Sequence, residues 1–387
     1  MTVGCEDAAF MNVMKGWETG NMLKDKIVTF VFLFLIGGLF IANLIYPDQA
    51  LSFSERRRLA QLPKFSLQAI FTPEYTKDLD TYTLDQFVWR EQFRSIKTAF
   101  DSSILQKLDT NGLFRVEEDI FSIEYPLRED KVIQMCQKLN TLYDRYLNGM
   151  RVYYTVIPDK NYFLPDDGQY LLMDYGKMAG IMDENLKAEM QYINLFDTLT
   201  LKDYYNTDGH WRQECLKPVI DKLGLAMGFS AFELDSYTKR EFRPFFGAYY
   251  GQLASNSTTP DTLEWLENNS TRDAVVTSLG HPNREDLTVY NEEGLGGMDS
   301  YDVYLYGAQP LITITNPHAA EGRELILFRD SYGSSLAPLL LQKYAKITLV
   351  DLRYITQELI KEYVTFQDQD VLCMFSATII NNSDIIR

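Results

Sequence analysis

An α/β domain built on a parallel sheet and preceded by one membrane-spanning helix is the architecture this 387-residue sequence predicts. Three observations predict it. Short runs rich in β-branched and aromatic residues alternate with segments of helical periodicity. Those runs are apolar at nearly every position, as strands buried on both faces are. Ahead of them stands "IVTFVFLFLIGGLFIANLIYP", Ile27 to Pro47, uncharged throughout. At a rise of 1.5 Å per residue its length of about 21 residues matches the ~30 Å hydrocarbon core of a bilayer.

Taken in order, residues 1–26 form a short tail and residues 27–47 the expected transmembrane helix. A core helix of a soluble protein and a cleaved signal peptide are the alternatives; the first seldom lacks every charge, and the second has a shorter apolar run and a small-residue cleavage site. Lys15, Lys24 and Lys26 precede the span while Arg56, Arg57 and Arg58 follow it, so the positive-inside count is nearly balanced. A long C-terminal portion translocates largely regardless of charge once a signal anchor starts it, which makes residues 1–26 cytoplasmic and the rest extracytoplasmic in a single-pass membrane protein. Residues 48–105 read as a helical juxtamembrane arm, with apolar positions recurring at three and four, and Phe87, Trp89 and Phe93 expected to pack it on the main domain.

The main domain, residues 106–387, opens with a β-rich patch at "NGLFRVEEDIFSI" and the helix "EDKVIQMCQKLNTLYDRYL". The strands "RVYYTVIP", "QYINLFD", "ELILF", "KITLVD" and "DVLCMFS" follow, with a helix expected near residues 355 to 366. Residues 230–315 break this rhythm and read as an antiparallel β-rich insertion. With 46% hydrophobic residues the chain has ample material for a core, and no internal repeat is present. A formal charge of −17 excludes nucleic acid as a partner and disfavours anionic membrane surfaces. Cys5, Cys136, Cys215 and Cys373 lie far apart, so neither a zinc site nor a disulfide framework is expected, and no metal or cofactor is called for.

Two segments carry candidate chemistry. In "YYNTDGHWRQE", Asp208 stands two residues before His210, where it can orient one imidazole nitrogen and leave the other for a reacting group. The same residues also suit a helix start near Trp211, with Asp208 as its cap. In "RELILFRDSYGSSL", Ser331 falls at the carboxyl end of a strand and at the mouth of a helix, where open α/β sheets place their sites and where N–H groups await an oxyanion. Gly333 would allow close approach, and any of Ser331, Ser334 and Ser335 serves as a helix cap. Lys160 in "PDKNY" and Arg353 in "DLRY" follow strand ends on the same face and are candidates, with Trp211, for substrate binding; ion pairs with nearby aspartates are the alternative for the two cations.

"TDGHW" and "FRDSYGSSLAP", with "VIPDKNYFLP" upstream and "VDLRY" downstream, resemble the DHHW family of SGNH-hydrolase-like proteins, relatives of the alginate O-acetyltransferases. "FSERRRLAQLP", "LDQFVWREQF" and "FFGAYYGQLAS" extend the resemblance over nearly everything after the span. It implies an SGNH-type three-layer α/β sandwich. It also implies a serine-dependent O-acetyltransferase or acetylesterase acting on a cell-envelope polysaccharide, with Asp208, His210 and Ser331 as its triad, and a polytopic membrane-bound O-acyltransferase as the partner that delivers the acyl group. Two positions depart from the family pattern: Gly209 replaces the usual second histidine, and Arg329 stands where many SGNH enzymes have glycine. The competing expectation is a non-catalytic polysaccharide-binding or envelope scaffold protein, whose sugar platforms would come from the 25 tyrosines and 23 phenylalanines.

Overall fold

The computed structural model describes residues 4–254, 258–319 and 322–387, with side chains from residue 24 onward. The chain divides into two compact units, residues 1–52 with 57–94, and residues 53–56 with 95–387.

In the first unit, helix Gly4–Ile45 contains Lys24–Ile45, which is long and apolar enough to cross a membrane and leaves its side chains exposed. Length and composition fit either a membrane anchor or a signal sequence. Helix Pro73–Asp85 starts on Thr72, whose hydroxyl accepts from the Tyr75 N–H, with Pro73 in the first turn where its missing donor costs nothing. Asp85 at its end takes both arms of the Arg57 guanidinium, at 2.8 and 2.5 Å, and the Ala60 N–H. Phe87, Trp89 and Phe93 keep much of their surface exposed, and Phe87 and Phe93 meet edge to face.

The second unit is organised by a seven-stranded sheet. Its strands are β1 (Arg151–Ile157), β2 (Met190–Tyr192), β3 (Val275–Ser278), β4 (Leu311–Thr315), β5 (Glu324–Arg329), β6 (Lys346–Val350) and β7 (Asp370–Ser376), in the order β2-β1-β7-β5-β6-β4-β3. The run from β2 to β6 is parallel. At one edge the expected parallel sheet carries two antiparallel strands, β4 running antiparallel to β6 and β3 antiparallel to β4. Both come from the segment read as an insertion, so those residues complete the sheet as well as supplying a separate antiparallel pair, Thr238–Phe245 with Asp261–Glu267. An antiparallel edge strand on a parallel sheet is a common arrangement.

Two-residue alternation sends the strands' side chains to two cores. Tyr153, Leu325, Leu327, Ile347, Leu349, Leu372 and Met374 join helices Lys217–Met227 and Tyr332–Leu340 on one face. Val152, Tyr154, Val156, Ile326, Phe328, Val371 and Phe375 join helices Glu129–Leu142 and Tyr175–Asn185 on the other. Each fully buried Leu, Ile or Phe contributes about 1.5–3 kcal/mol, and the result is the expected three-layer sandwich. The helix expected near residues 355–366 shrinks to one turn, Gln357–Ile360. Cys136 and Cys373 are buried free thiols and Cys215 is half-buried. Cys5 lies where side chains are not described.

Candidate active site

Ser331 sits between the end of β5 and the helix Tyr332–Leu340, with its side chain half-exposed. Its hydroxyl does not cap that helix. The first-turn donors are taken instead by Asp330, whose Oδ1 accepts from the Tyr332 N–H at 3.1 Å and whose carbonyl accepts from the Gly333 N–H, while Asp330 Oδ2 accepts from Ser376 N on the neighbouring strand β7 at 2.7 Å. Asp330 thereby fixes the turn that presents Ser331. The Ser334 N–H donates to the Ser331 carbonyl, so the free row of donors expected at this helix start is largely occupied. The N–H of Ser331 itself makes no hydrogen bond among the described residues.

His210 lies on a tight loop closed by a bond from Tyr205 N to the His210 carbonyl at 3.1 Å, with Tyr204 and Trp211 bridged across its base. No helix begins at Trp211, so the capping role considered for Asp208 is absent; the next helical turn is the short 3-10 segment Gln213–Cys215, with Arg212 at its cap position, and the next α-helix starts at Lys217. Asp261 pins the loop by accepting from Asn206 N, Thr207 N and Thr207 Oγ1 at 3.0, 2.8 and 2.6 Å. Asp208 Oδ1 lies 2.6 Å from His210 Nδ1, and His210 Nε2 lies 2.7 Å from Ser331 Oγ. An ionised carboxylate accepts only, so Nδ1 carries the proton and Nε2 is left to accept the one on Ser331.

Asp208 is fully buried, and burial opposes its charge. The His210 ring, the Arg56 guanidinium and the Ala248 N–H outweigh that burial and hold the carboxyl well below the usual range. Ala248 N donates to Oδ2 at 2.7 Å, and Gly247 has no side chain because a Cβ there would lie 2.4 Å from the Asp208 Cβ. The imidazole is stacked on Tyr301, with ring centres 4.0 Å apart and planes 15° apart, and flanked by Tyr332. Both rings are locked in turn: Tyr332 Oη donates to the Gly209 carbonyl, and Tyr301 Oη and Trp211 Nε1 both donate to Ser335 Oγ, at 3.0 and 2.9 Å. Thus two loops separated by about 120 residues in sequence are tied together beside the pair that faces across them.

The remaining candidates fall elsewhere. Trp211 is 0% exposed, so its expected place against substrate is corrected to a structural one: its indole anchors Ser335. Lys160, 2% exposed, is likewise turned inward; its ammonium donates to the carbonyls of Ile120, Tyr205 and Asn206 at 2.9, 2.8 and 3.1 Å and pairs with Asp119. It staples the histidine loop from below and has no donor left for a ligand. Arg353 forks onto Asp351 at 2.9 and 2.6 Å, the ion-pair alternative. Gly333 makes room for Arg329, whose Cβ would be 2.6 Å from an added methyl, so its role is to admit that buried arginine under the turn. Gly209 is likewise a matter of space: a Cβ there would meet the Tyr249 hydroxyl at 2.5 Å. Tyr301, Tyr332 and Ala248 were not legible as site residues, being one tyrosine among many or a backbone donor. Arg56 had a signal, its place in "FSERRRLAQLP", but reads there as one of a run of three arginines.

A serine and a histidine–carboxylate pair meet at the carboxyl edge of a covered, mostly parallel sheet, the arrangement expected of the SGNH-hydrolase-like class of three-layer α/β sandwiches, and solved structures agree on the fold. Within that class, the family model that matches the chain, over residues 171–350, is that of DHHW proteins. A DHHW family protein from Eubacterium siraeum superposes with a TM-score of 0.60 at 18% identity, covering 72% of this chain and 94% of that one. PatB1 of Bacillus cereus superposes with a TM-score of 0.57 at 16% identity, covering 69% and 96%. A second PatB1 structure, with a sulfonyl adduct, gives 0.56 at 16% identity, covering 69% and 95%. No curated protein sequence matches the chain.

Proposed function

We propose that the protein is a serine-dependent O-acyltransferase or acylesterase, acetyl being the group moved, and that Ser331, His210 and Asp208 form its catalytic relay. The observation that carries this reading is the unbroken line from Asp208 Oδ1 through the imidazole to Ser331 Oγ, at 2.6 and 2.7 Å. His210 Nε2 takes the Ser331 proton as Oγ bonds to the acyl carbon, and Asp208 balances the imidazolium. The tetrahedral oxyanion forms beside the Ser331 N–H. The imidazolium then protonates the leaving oxygen, and the acyl group rests on Ser331 as an ester. An acceptor hydroxyl, or water, gives its proton to Nε2 and attacks that ester, and the imidazolium returns the proton to Oγ as the bond to Ser331 breaks. Of the two expectations from sequence, the half-exposed serine facing its histidine supports the enzyme over the binding module, for which an inward-facing serine would be expected.

In the same reading the helix Lys24–Ile45 is the membrane anchor and the second unit works outside the cytoplasm on a cell-envelope polysaccharide, with a polytopic O-acyltransferase supplying the acyl group. The test is hydrolysis of p-nitrophenyl acetate by the full-length protein in detergent, beside Ser331→Ala. A loss of about 10³-fold or more is expected. Equal turnover by the two proteins would overturn the serine mechanism.

A further inference from the structure

We infer that Arg56 is a positioning residue of this site, an inference that rests on the relay proposed above: its guanidinium holds the outer face of Asp208 and the Asp299 carboxylate together, so that Asp208 stays aimed at His210. Arg56 Nη1 lies 2.5 Å from Asp299 Oδ2 and 3.7 Å from Asp208 Oδ2, while Nη2 donates to the Phe246 carbonyl at 3.0 Å. The Arg56 side chain is only 16% exposed. A planar fork that reaches a carbonyl and a carboxylate at once while flanking a second carboxylate is an arrangement lysine cannot reproduce.

The surroundings are shaped to receive it. Arg56 adopts φ +53°, a left-handed backbone that costs a non-glycine residue about 1 kcal/mol or more. Gly251 lies against the preceding turn so closely that a Cβ would sit 1.5 Å from the Ser54 carbonyl oxygen. The Phe246–Ala248 stretch gives its carbonyl to Arg56 and its N–H to Asp208, clamping both from one side. Three motifs that are far apart in sequence, "FSERRR", "TDGHW" and "FFGAYYG", therefore converge behind a single carboxylate. Arg57, the next residue, pairs instead with Asp85.

Charge balance supplies the reason. Asp208, Asp299 and Asp302 all interact with the Arg56 guanidinium, and the imidazole of His210 sits among them, covered by the rings of Tyr301 and Tyr332. Without the cation, Asp208 and Asp299 repel one another and Asp208 loses its fixed aim while its charge stays beside the ring; that uncompensated negative charge favours the imidazolium, which cannot accept the serine proton.

The experiment uses the full-length protein in detergent with labelled histidine, reading the His210 ring signal by NMR across pH; His210→Gln assigns it among the three histidines. Arg56→Gln is expected to raise its titration midpoint by about one unit, and Arg56→Lys by about half as much. With p-nitrophenyl acetate, Arg56→Gln should lower kcat about tenfold or more with little change in KM and move the acid limb of the pH profile upward. A midpoint unchanged in both variants overturns the inference whether or not the protein turns over esters. An inactive wild type with a shifted midpoint counts against the proposed function and leaves Arg56 in its role. If Arg56→Gln does not fold, Arg56→Lys alone decides by the same midpoint.

Discussion

Replacing Asp208 by asparagine exchanges one oxygen for an NH₂ group at constant size, and the surroundings dictate which way the amide must face. Oδ2 receives the Ala248 N–H at 2.7 Å and flanks the Arg56 guanidinium at 3.7 Å; both are donors that cannot turn into acceptors. The amide oxygen takes that side, since the reverse would set NH₂ against the shorter N–H bond and a cation, leaving a buried donor unpaired at about 1–3 kcal/mol, whereas the chosen side gives up only the 3.1 Å bond that Oδ1 accepts from the His210 N–H. NH₂ then faces His210 Nδ1, where 2.6 Å now separates the carboxylate from the ring. The imidazole can answer only by shifting its proton to Nε2, the atom 2.7 Å from Ser331 Oγ, and the general base disappears. A wrong tautomer of this kind costs a serine relay about 10⁴ in kcat, roughly 5.5 kcal/mol of barrier. The assay is p-nitrophenyl acetate hydrolysis by full-length wild type, Asp208→Asn, Ser331→Ala and the double variant, with thermal melts as controls. Groups acting as a unit are not additive, so the double variant should be no slower than Ser331→Ala. Asp208→Asn retaining more than about a tenth of kcat would refute the reasoning.

Lys160→Ala should destabilise the protein by about 3–5 kcal/mol, because it strips three carbonyls and Asp119 of a buried cation, while KM for a small ester stays the same; a KM rise with unchanged melting would restore Lys160 to substrate binding. Glu124 has its carboxyl pushed up to about 7 by burial and by the Asp159 charge. The folded state therefore holds that proton more tightly than the unfolded chain, and its contribution to stability is lost as pH rises from about 4.5 to 7. Glu124→Gln should flatten the fall in denaturant-measured stability over that window by about 1–3 kcal/mol, and a slope identical to wild type would count against it.

Much of the sheet is legible in the sequence because its strands announce themselves locally. "ELILF" and "DVLCMFS" are apolar throughout since both faces are covered, and helices lie where the period lengthens. The direction of β4 is not legible, because pairing with β6 is a long-range choice that residues 311–315 do not encode by themselves. At the site, Asp208, His210 and Ser331 could be singled out because short-range spacing and a strand–turn–helix pattern carry their chemistry. Lys160 misleads for the opposite reason: it does follow a strand end, but its partners are carbonyls 40 to 46 residues away. Arg56 is hidden by its neighbours, since three adjacent arginines suggest one solvated charge run while consecutive side chains go to different partners.

The Tyr249 hydroxyl occupies the place that a side chain on residue 209 would need. Positions 209 and 249 therefore compete for one space, and a protein of this fold with a larger residue at the first needs the side chain at the second swung aside or shortened. Exchanging these arrangements one residue at a time passes through a collision or a void, so sequences should be found to switch them as a pair.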